Sequence, residues 1–303
     1  MAALRRGTFA RPTRSLRDRS PVLDTWVRYA HSRIAAVALL GLLSIVLMAL
    51  LAPVLAPNDP LQQFRREGLG LQGQPLPPSA RFLLGTDTRG RDVLSRIMWG
   101  ARVSLLIGFA ASFISVGLAM AVGGIAGTRG GRVDQAIMRC VDLIMSVPTF
   151  FVTLLLLTLV RPSPWIVVAV IAAFSWTYPA RIFRSEVLSL RERDFVMASR
   201  SLGTSEFAIF IRHILPHIMP LVVVYCALSV PGVIFAESAL SYLGLGVPPP
   251  VPAWGTMIQE GQSYYRAAPW LILFPGGAIM LTVVCLNLVS NRLREVLDPS
   301  QRR

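Results

Sequence analysis

The chain has 303 residues, a formal net charge of +14, a hydrophobic share of 53% and a mean hydropathy of +0.57. That apolar content excludes an ordinary soluble domain. All 30 basic residues are arginine, so a G-x-x-x-x-G-K-[ST] phosphate loop, which needs lysine, is excluded as well. The charge is assigned to arginines facing the cytoplasm and anionic lipid, and not to nucleic acid. Cys140, Cys226 and Cys285 lie at or inside apolar segments without paired spacing. They are expected to be small buried hydrophobes, neither a disulfide framework nor a metal site.

Residues 1–33 are rich in arginine and interrupted by Pro12 and Pro21. They are expected to form a disordered cytoplasmic tail. Arg5-Arg6 resembles a twin-arginine signal only weakly, because the apolar run that follows, 34–56, is too long for a signal peptide and suits an uncleaved span of about 20 residues. Residues 57–101 are the longest polar insertion. Thr86 or Asp87 is expected to start a helix there, with Asp92 and Arg96 as a hydrated i,i+4 pair. Val93, Leu94, Ile97 and Met98 place that helix along the outer membrane surface.

The remaining residues, 102–291, carry five more spans. The second, 103–128, is rich in glycine, alanine and serine, which predicts close packing inside a bundle, with pore lining as the alternative. Residues 129–142 read as a short polar link. The third and fourth spans, 143–160 and 165–180, flank a tight turn at Arg161-Pro-Ser-Pro164. The fifth, 217–237, contains Pro220 and Pro231, so kinks or partial opening are expected. Glu237 is the one carboxylate at or near membrane depth. It reads either as a pathway or gate residue or as a solvated or capping glutamate. The proline-rich loop after it cannot be one regular helix. It is expected to tuck into the outer face, with Tyr264, Tyr265 and Trp270 at headgroup level. The sixth span is 267–291, and 292–303 form a basic tail. The fold class is therefore all-α, with six transmembrane helices. Residues 1–33, 129–142, 181–216 and 292–303 hold 8, 3, 6 and 4 arginines, 21 of the 30, which places both termini in the cytoplasm.

The stretch Asp194–Pro216 lies in the third of those arginine-rich segments, within a polar loop over 184–216. It reads as two short helices joined at Gly203. Phe195, Ala198, Ser199 and Leu202 recur at i, i+3, i+4, i+7. Gly203 stands where a left-handed residue ends a helix. Thr204 or Ser205 can cap the next one, with Glu206 in its first turn. Phe207, Phe210, Ile211 and Ile214 form an apolar stripe, and Pro216 marks the boundary with the fifth span. Such a helix suits either docking into a groove on another protein or an ordinary interfacial position.

Four stretches carry a resemblance. MASRSLGTSEFAIFIRHILP is similar to the cytoplasmic loop of bacterial ABC-importer permeases, with pattern E-A-A, three residues, G, nine residues, I-x-L-P. Met197, Ala198, Ser199, Gly203, His213, Leu215 and Pro216 occupy those positions, with departures at Met197, Ser199 and His213. LGTDTRGRDVLSRIMWGARVSL and AESALSYLGLGVPPPVPAWGTMIQEG resemble the dipeptide/oligopeptide subgroup, in particular its C-type subunit, and APWLILFPGGAIMLTVVCLNLVSNRLREVLDP is similar to that subgroup's carboxyl end. The likeness covers about 81–299.

It implies a type I ABC-importer permease-like bundle with a cytoplasmic coupling helix, in the bacterial inner membrane. The implied partners are a homologous second permease, two cytoplasmic ABC ATPases and an extracytoplasmic substrate-binding protein. It implies no catalytic residue and no cofactor bound by this chain, ATP being used by the partners. Short peptides are the implied cargo, with nickel or glutathione as the alternative solutes. An intramembrane enzyme would need a nucleophile–base pair or clustered ligands, but His213 and His217 have no acid or third ligand near them in sequence, and His31 lies in the tail. A secondary transporter or channel would show buried charges or broken helices in repeated halves, and no internal repeat is found.

Overall fold

The computed structural model describes residues 32–161 and 163–297. Residues 1–31 of the expected disordered tail, with His31, and the last six residues lie outside the described residues, while Ser32 and Arg33 belong to the cap and start of the first helix. The first helix, α1 (Arg33–Leu50), is capped by Ser32, whose hydroxyl accepts from the Ala35 amide at 3.4 Å, and a further turn follows at Ala52–Leu55. After an irregular segment come α2 (Val93–Arg129), α3 (Gly131–Met145), α4 (Thr149–Leu159), α5 (Pro164–Ser175), α6 (Thr177–Arg191) and α7 (Asp194–Ser201). A short α8 (Glu206–Ile209) runs through a π turn (Phe210–Ile214) into α9 (Leu215–Tyr242). The chain closes with α10 (Trp254–Gly261) and α11 (Trp270–Leu297).

Four of these helical runs are long and apolar enough to cross a membrane: α1, α2, α8 through α9, and α11. The bent pairs α3/α4, at 78°, and α5/α6, at 46°, bring the number to six. The breaks have local causes. Pro148 ends the α3 run at Ser146, and α6 opens at Trp176 with Pro179 in its first turn, where a missing N–H costs no hydrogen bond. Leu40, Val54, Phe151, Leu159, Leu273 and Met280 are exposed along the outer helices. Lipid is the solvent for such surfaces, so burial inside the protein is not needed there.

At 37 residues, α2 is about 55 Å long and is the axis of the molecule. Its glycines let α6 and α9 approach closely. A Cβ on Gly123 would stand 2.5 Å from the Ala180 carbonyl oxygen, and one on Gly108 would stand 2.4 Å from Ile234. The packing reading of this span therefore holds. Three apolar clusters follow its length. One surrounds Trp254, Ile97 and Ile234; a middle one joins Ile107, Val168 and Val233; the last gathers Phe183, Val187, Val196, Ile209 and Ile214. The two ends of the protein are named below for Trp254 and Gly203.

Several expectations are corrected. The helix after Asp92 is not a separate interfacial element but the first turns of α2, with Asp92 as its N-cap, accepting from the Ser95 amide at 3.0 Å. Asp92 and Arg96 are therefore not a hydrated pair, and both are buried. Residues 129–142 are not a polar link but most of α3, held to α6 by Arg184–Asp134 and Arg181–Asp142 ion pairs. Cys140 is exposed and Cys226 half-buried, so only Cys285 is a buried thiol. Pro220 and Pro231 lie inside α9 without the helix opening at either. Pro216 stands in the first turn of α9, and the helical run enters it from the π turn without a break.

Candidate functional site: the Gly203 loop

Val196 is the anchor of α7, fully buried among Phe183, Val187 and Ile214. The helix then stops in a Schellman turn. Gly203 has φ +80°, its amide donates to the Arg200 carbonyl at 3.0 Å, and the Thr204 amide donates to the Ser199 carbonyl at 3.3 Å. Only glycine takes that backbone without strain. Of the two candidate caps, Ser205 is the one used, accepting from the Ala208 amide at 3.3 Å. Arg200 donates twice to Glu206, at 2.6 and 3.1 Å, tying the two sides of the turn together. That hydrogen bond, above all other causes, raises the guanidinium further above its ordinary value.

The predicted faces rotate. Phe195 turns back on the chain and stacks on the His217 ring at 5.0 Å. Ala198 is exposed, and Ser199 meets His213 Nε2 at 3.1 Å. Phe210 is half-buried, with its ring where a Cβ on Gly124 would stand 2.8 Å away. Ile214 is fully buried, and the apolar stripe is split because the wider π turn resets the angle between successive side chains. Leu215 is half-buried and Pro216 exposed. What remains outward is Met197, Leu202, Phe207 and Ile211, with Leu202 86% and Phe207 76% exposed. They form an apolar ridge on a rigid turn. His213 and His217 are engaged locally, His217 Nδ1 donating to the His213 carbonyl at 2.5 Å. Among the described residues no group of metal-ligating side chains occurs.

At the Trp254 end, Glu237 is neither solvated nor a cap. It is fully buried and accepts from Ser241 at 2.7 Å, Ser104 at 3.2 Å and Ser238 at 3.4 Å. The same serines reach further, since Ser104 accepts from the Trp254 amide at 3.4 Å and Ser241 from the Val247 amide at 3.3 Å. Glu237 thus joins α2, α9 and the proline-rich loop. That loop does tuck in as expected, with Trp254 fully buried and its indole donating to the Ile97 carbonyl at 3.1 Å.

One constellation escaped the sequence reading. Arg91 donates to Asp87 at 2.6 Å and to Glu260 at 2.7 Å, and Arg96 donates to Glu260 at 2.6 Å and to Asp87. Two buried cations balance two carboxylates, bolting α10 to the start of α2. Asp87, Arg91 and Arg96 cluster visibly in the sequence, but Glu260 lies 164 residues beyond Arg96 and nothing local points to it.

With this geometry in place, the comparisons with known proteins are informative. Residues 119–303 match the model of the family described as binding-protein-dependent transport system inner membrane component. Residues 20–78 match the N-terminal TM domain of oligopeptide transport permease C, which extends the likeness toward the amino terminus beyond the motifs quoted above. The chain is 36% identical over 281 residues to the dipeptide transport system permease protein DppC of Bacillus subtilis (strain 168), covering 92% of this chain and 86% of that one. It is 37% identical over 282 residues to the oligopeptide transport system permease protein OppC of Escherichia coli (strain K12), covering 92% and 91%. The di/tripeptide transport system permease protein DppC of Pseudomonas aeruginosa (strain UCBPP-PA14) is 38% identical over 286 residues, covering 92% of each. In fold, the chain is similar to the inward-facing MetNI methionine ABC transporter, with a TM-score of 0.53 at 17% identity over 66% of this chain and 95% of that one.

Proposed function

The chain belongs to the family of binding-protein-dependent transport system inner membrane components, and from that premise we propose that it is one permease half of an ATP-driven importer of short peptides. Its Gly203 loop is the seat of a cytoplasmic ATPase. The observation that carries the reading is the apolar ridge of Met197, Leu202, Phe207 and Ile211, raised on a turn that Val196, the Schellman bonds and the Arg200–Glu206 pair hold rigid. A helix-in-groove partner needs apolar anchors on a preformed element, and this turn supplies them.

The complete importer on this reading pairs the chain with a homologous second permease, two ATPases and an external substrate-binding protein. Both termini face the cytoplasm, and ATP is bound and hydrolysed by the partners. Closure of the ATPases pushes on the ridge. The push enters the membrane along the unbroken helical run Glu206–Tyr242, which carries Glu237 near its far end. There α10 is fastened, so a stroke at one end repacks the other, and the bundle rocks between inward- and outward-facing states. Met197 stands where the family pattern has a glutamate, so the contact at that position is apolar here. The peptide cargo follows the names of the relatives, three of which are peptide permeases.

Gly203→Val tests the seat. A β-branched residue at φ +80° is strained by roughly 1–3 kcal/mol and displaces the ridge without touching the core. In proteoliposomes of the whole importer, ATP hydrolysis is expected to persist while peptide uptake falls at least about tenfold. Uptake at the parental rate in that variant would exclude the loop as the coupling element.

A further inference from the structure

A second site lies beside the Gly203 loop. A cleft of about 320 Å³ opens there, with α9 as its floor and α6 and α11 along its sides. That volume is at the small end of ligand sites, about 300–1,000 Å³. Leu221 and Val224 line its apolar part. Its polar lining comes from three helices: Glu186 from α6, His217 and Tyr225 from α9, and Arg294 from α11. Glu186 and Arg294 are exposed, and neither makes an ion pair among the described residues, although arginine–carboxylate pairs bind α3 to α6 close by.

The two unpaired charges decide the ligand class. A simple anion would meet Glu186, and a simple cation would meet Arg294. A molecule carrying both an ammonium and a carboxylate, with an apolar body between, satisfies both walls and the floor. Charge opposition of this kind sets specificity and orientation more than raw affinity.

We propose that the cleft is a transient seat for a free short peptide, its terminal ammonium toward Glu186 and its terminal carboxylate toward Arg294. The proposal rests on the importer reading above for the peptide's presence. It goes beyond that reading in giving this chain its own cargo contacts at the Gly203 end. The floor is mechanically tied to the loop, because His217 of α9 stacks on Phe195 of α7. Movement of the ATPase seat therefore moves the peptide seat.

The test uses the assembled importer in proteoliposomes and a photoreactive dipeptide, alanyl-photoleucine, crosslinked and mapped by mass spectrometry. Labelling is expected on α9 between Ile218 and Leu228, and Ala-Leu should compete for it. Acetylating the amine or amidating the carboxylate of the competitor should weaken competition about two- to fivefold each, the scale of a partly solvated ion pair. In Glu186→Gln the free and acetylated competitors should become equal. In Arg294→Gln the free and amidated ones should. Both are exposed charge-to-amide changes that leave the packing intact.

Absence of label in the cleft, or equal competition by blocked and free peptides in the parental protein, overturns the proposal. So does glycerophosphoethanolamine competing better than Ala-Leu, which would make the cleft a lipid-headgroup seat. ATP-dependent uptake of Ala-Leu is measured on the same vesicles. Uptake without cleft labelling removes the site and leaves the importer. Labelling with the expected charge dependence but no uptake removes the importer reading and leaves the site.

Discussion

At the residue scale, the buried charges at the Trp254 end matter most for stability. Arg91 and Arg96 are almost fully buried and share Asp87 and Glu260, so removing one carboxylate leaves a guanidinium uncompensated. Glu260→Gln is expected to destabilise the protein by about 3–5 kcal/mol, read as a lower unfolding midpoint in detergent. Glu67→Gln, which breaks the exposed pair with Arg81, should cost within about 1 kcal/mol. Equal effects of the two substitutions would refute the bolt. Single residues differ in how legible they were. Gly203 was readable because a glycine followed by hydroxyl caps has one local meaning. Glu237 is recognisable in the sequence as a carboxylate at depth, but its burial is not, because one of its three serines is Ser104, 133 residues away. The Arg96 pairing was misread for the same reason, since its partner across the fold is invisible to i,i+4 spacing.

At the element scale, hydropathy marks the apolar runs, and the small residues of α2 mark a helix that packs closely on its neighbours. Its true start was hidden, because Arg96 and Arg102 make the first turns look like surface. The bury-and-neutralise solution that lets α2 begin at Val93 needs α10, which is remote in sequence. The π turn at Phe210–Ile214 was equally hidden, since a period-3.6 template assumes the helix it seeks. The packing of α2 on α6 offers a direct test. A leucine at Gly123 meets the Ala180 backbone, which cannot rotate aside, whereas Gly117 has open space around it. Gly123→Leu should lower the yield of monodisperse protein in size-exclusion chromatography and cost about 1–3 kcal/mol or more. Gly117→Leu should behave like the parent, and matching behaviour of the pair would disprove close α2–α6 packing.

At the scale of the whole molecule, asymmetry of arginine charge needs no knowledge of packing and predicts which ends face the cytoplasm. The cytoplasmic placement proposed for the Gly203 loop is testable. In a chain with Cys140, Cys226 and Cys285 replaced by alanine, Ser205→Cys should react with a membrane-impermeant maleimide in inside-out vesicles and stay unlabelled in intact spheroplasts. Labelling of intact spheroplasts would reverse the topology. What whole-chain reasoning missed is how unlike the two ends are. One end displays apolar side chains on a solvent-facing turn, and the other withdraws four charges from solvent.

That contrast has a consequence for how the protein meets its surroundings. Counterions screen charges over about 8 Å at physiological ionic strength, and only where they can approach. The Asp87–Arg91–Arg96–Glu260 bolt is shut away from them, whereas the Arg200–Glu206 tie is open to them. If the Trp254 end faces the exterior, dilution or brine outside the cell leaves its fastening untouched. The screenable contact then sits on the side where the cell itself regulates the salt.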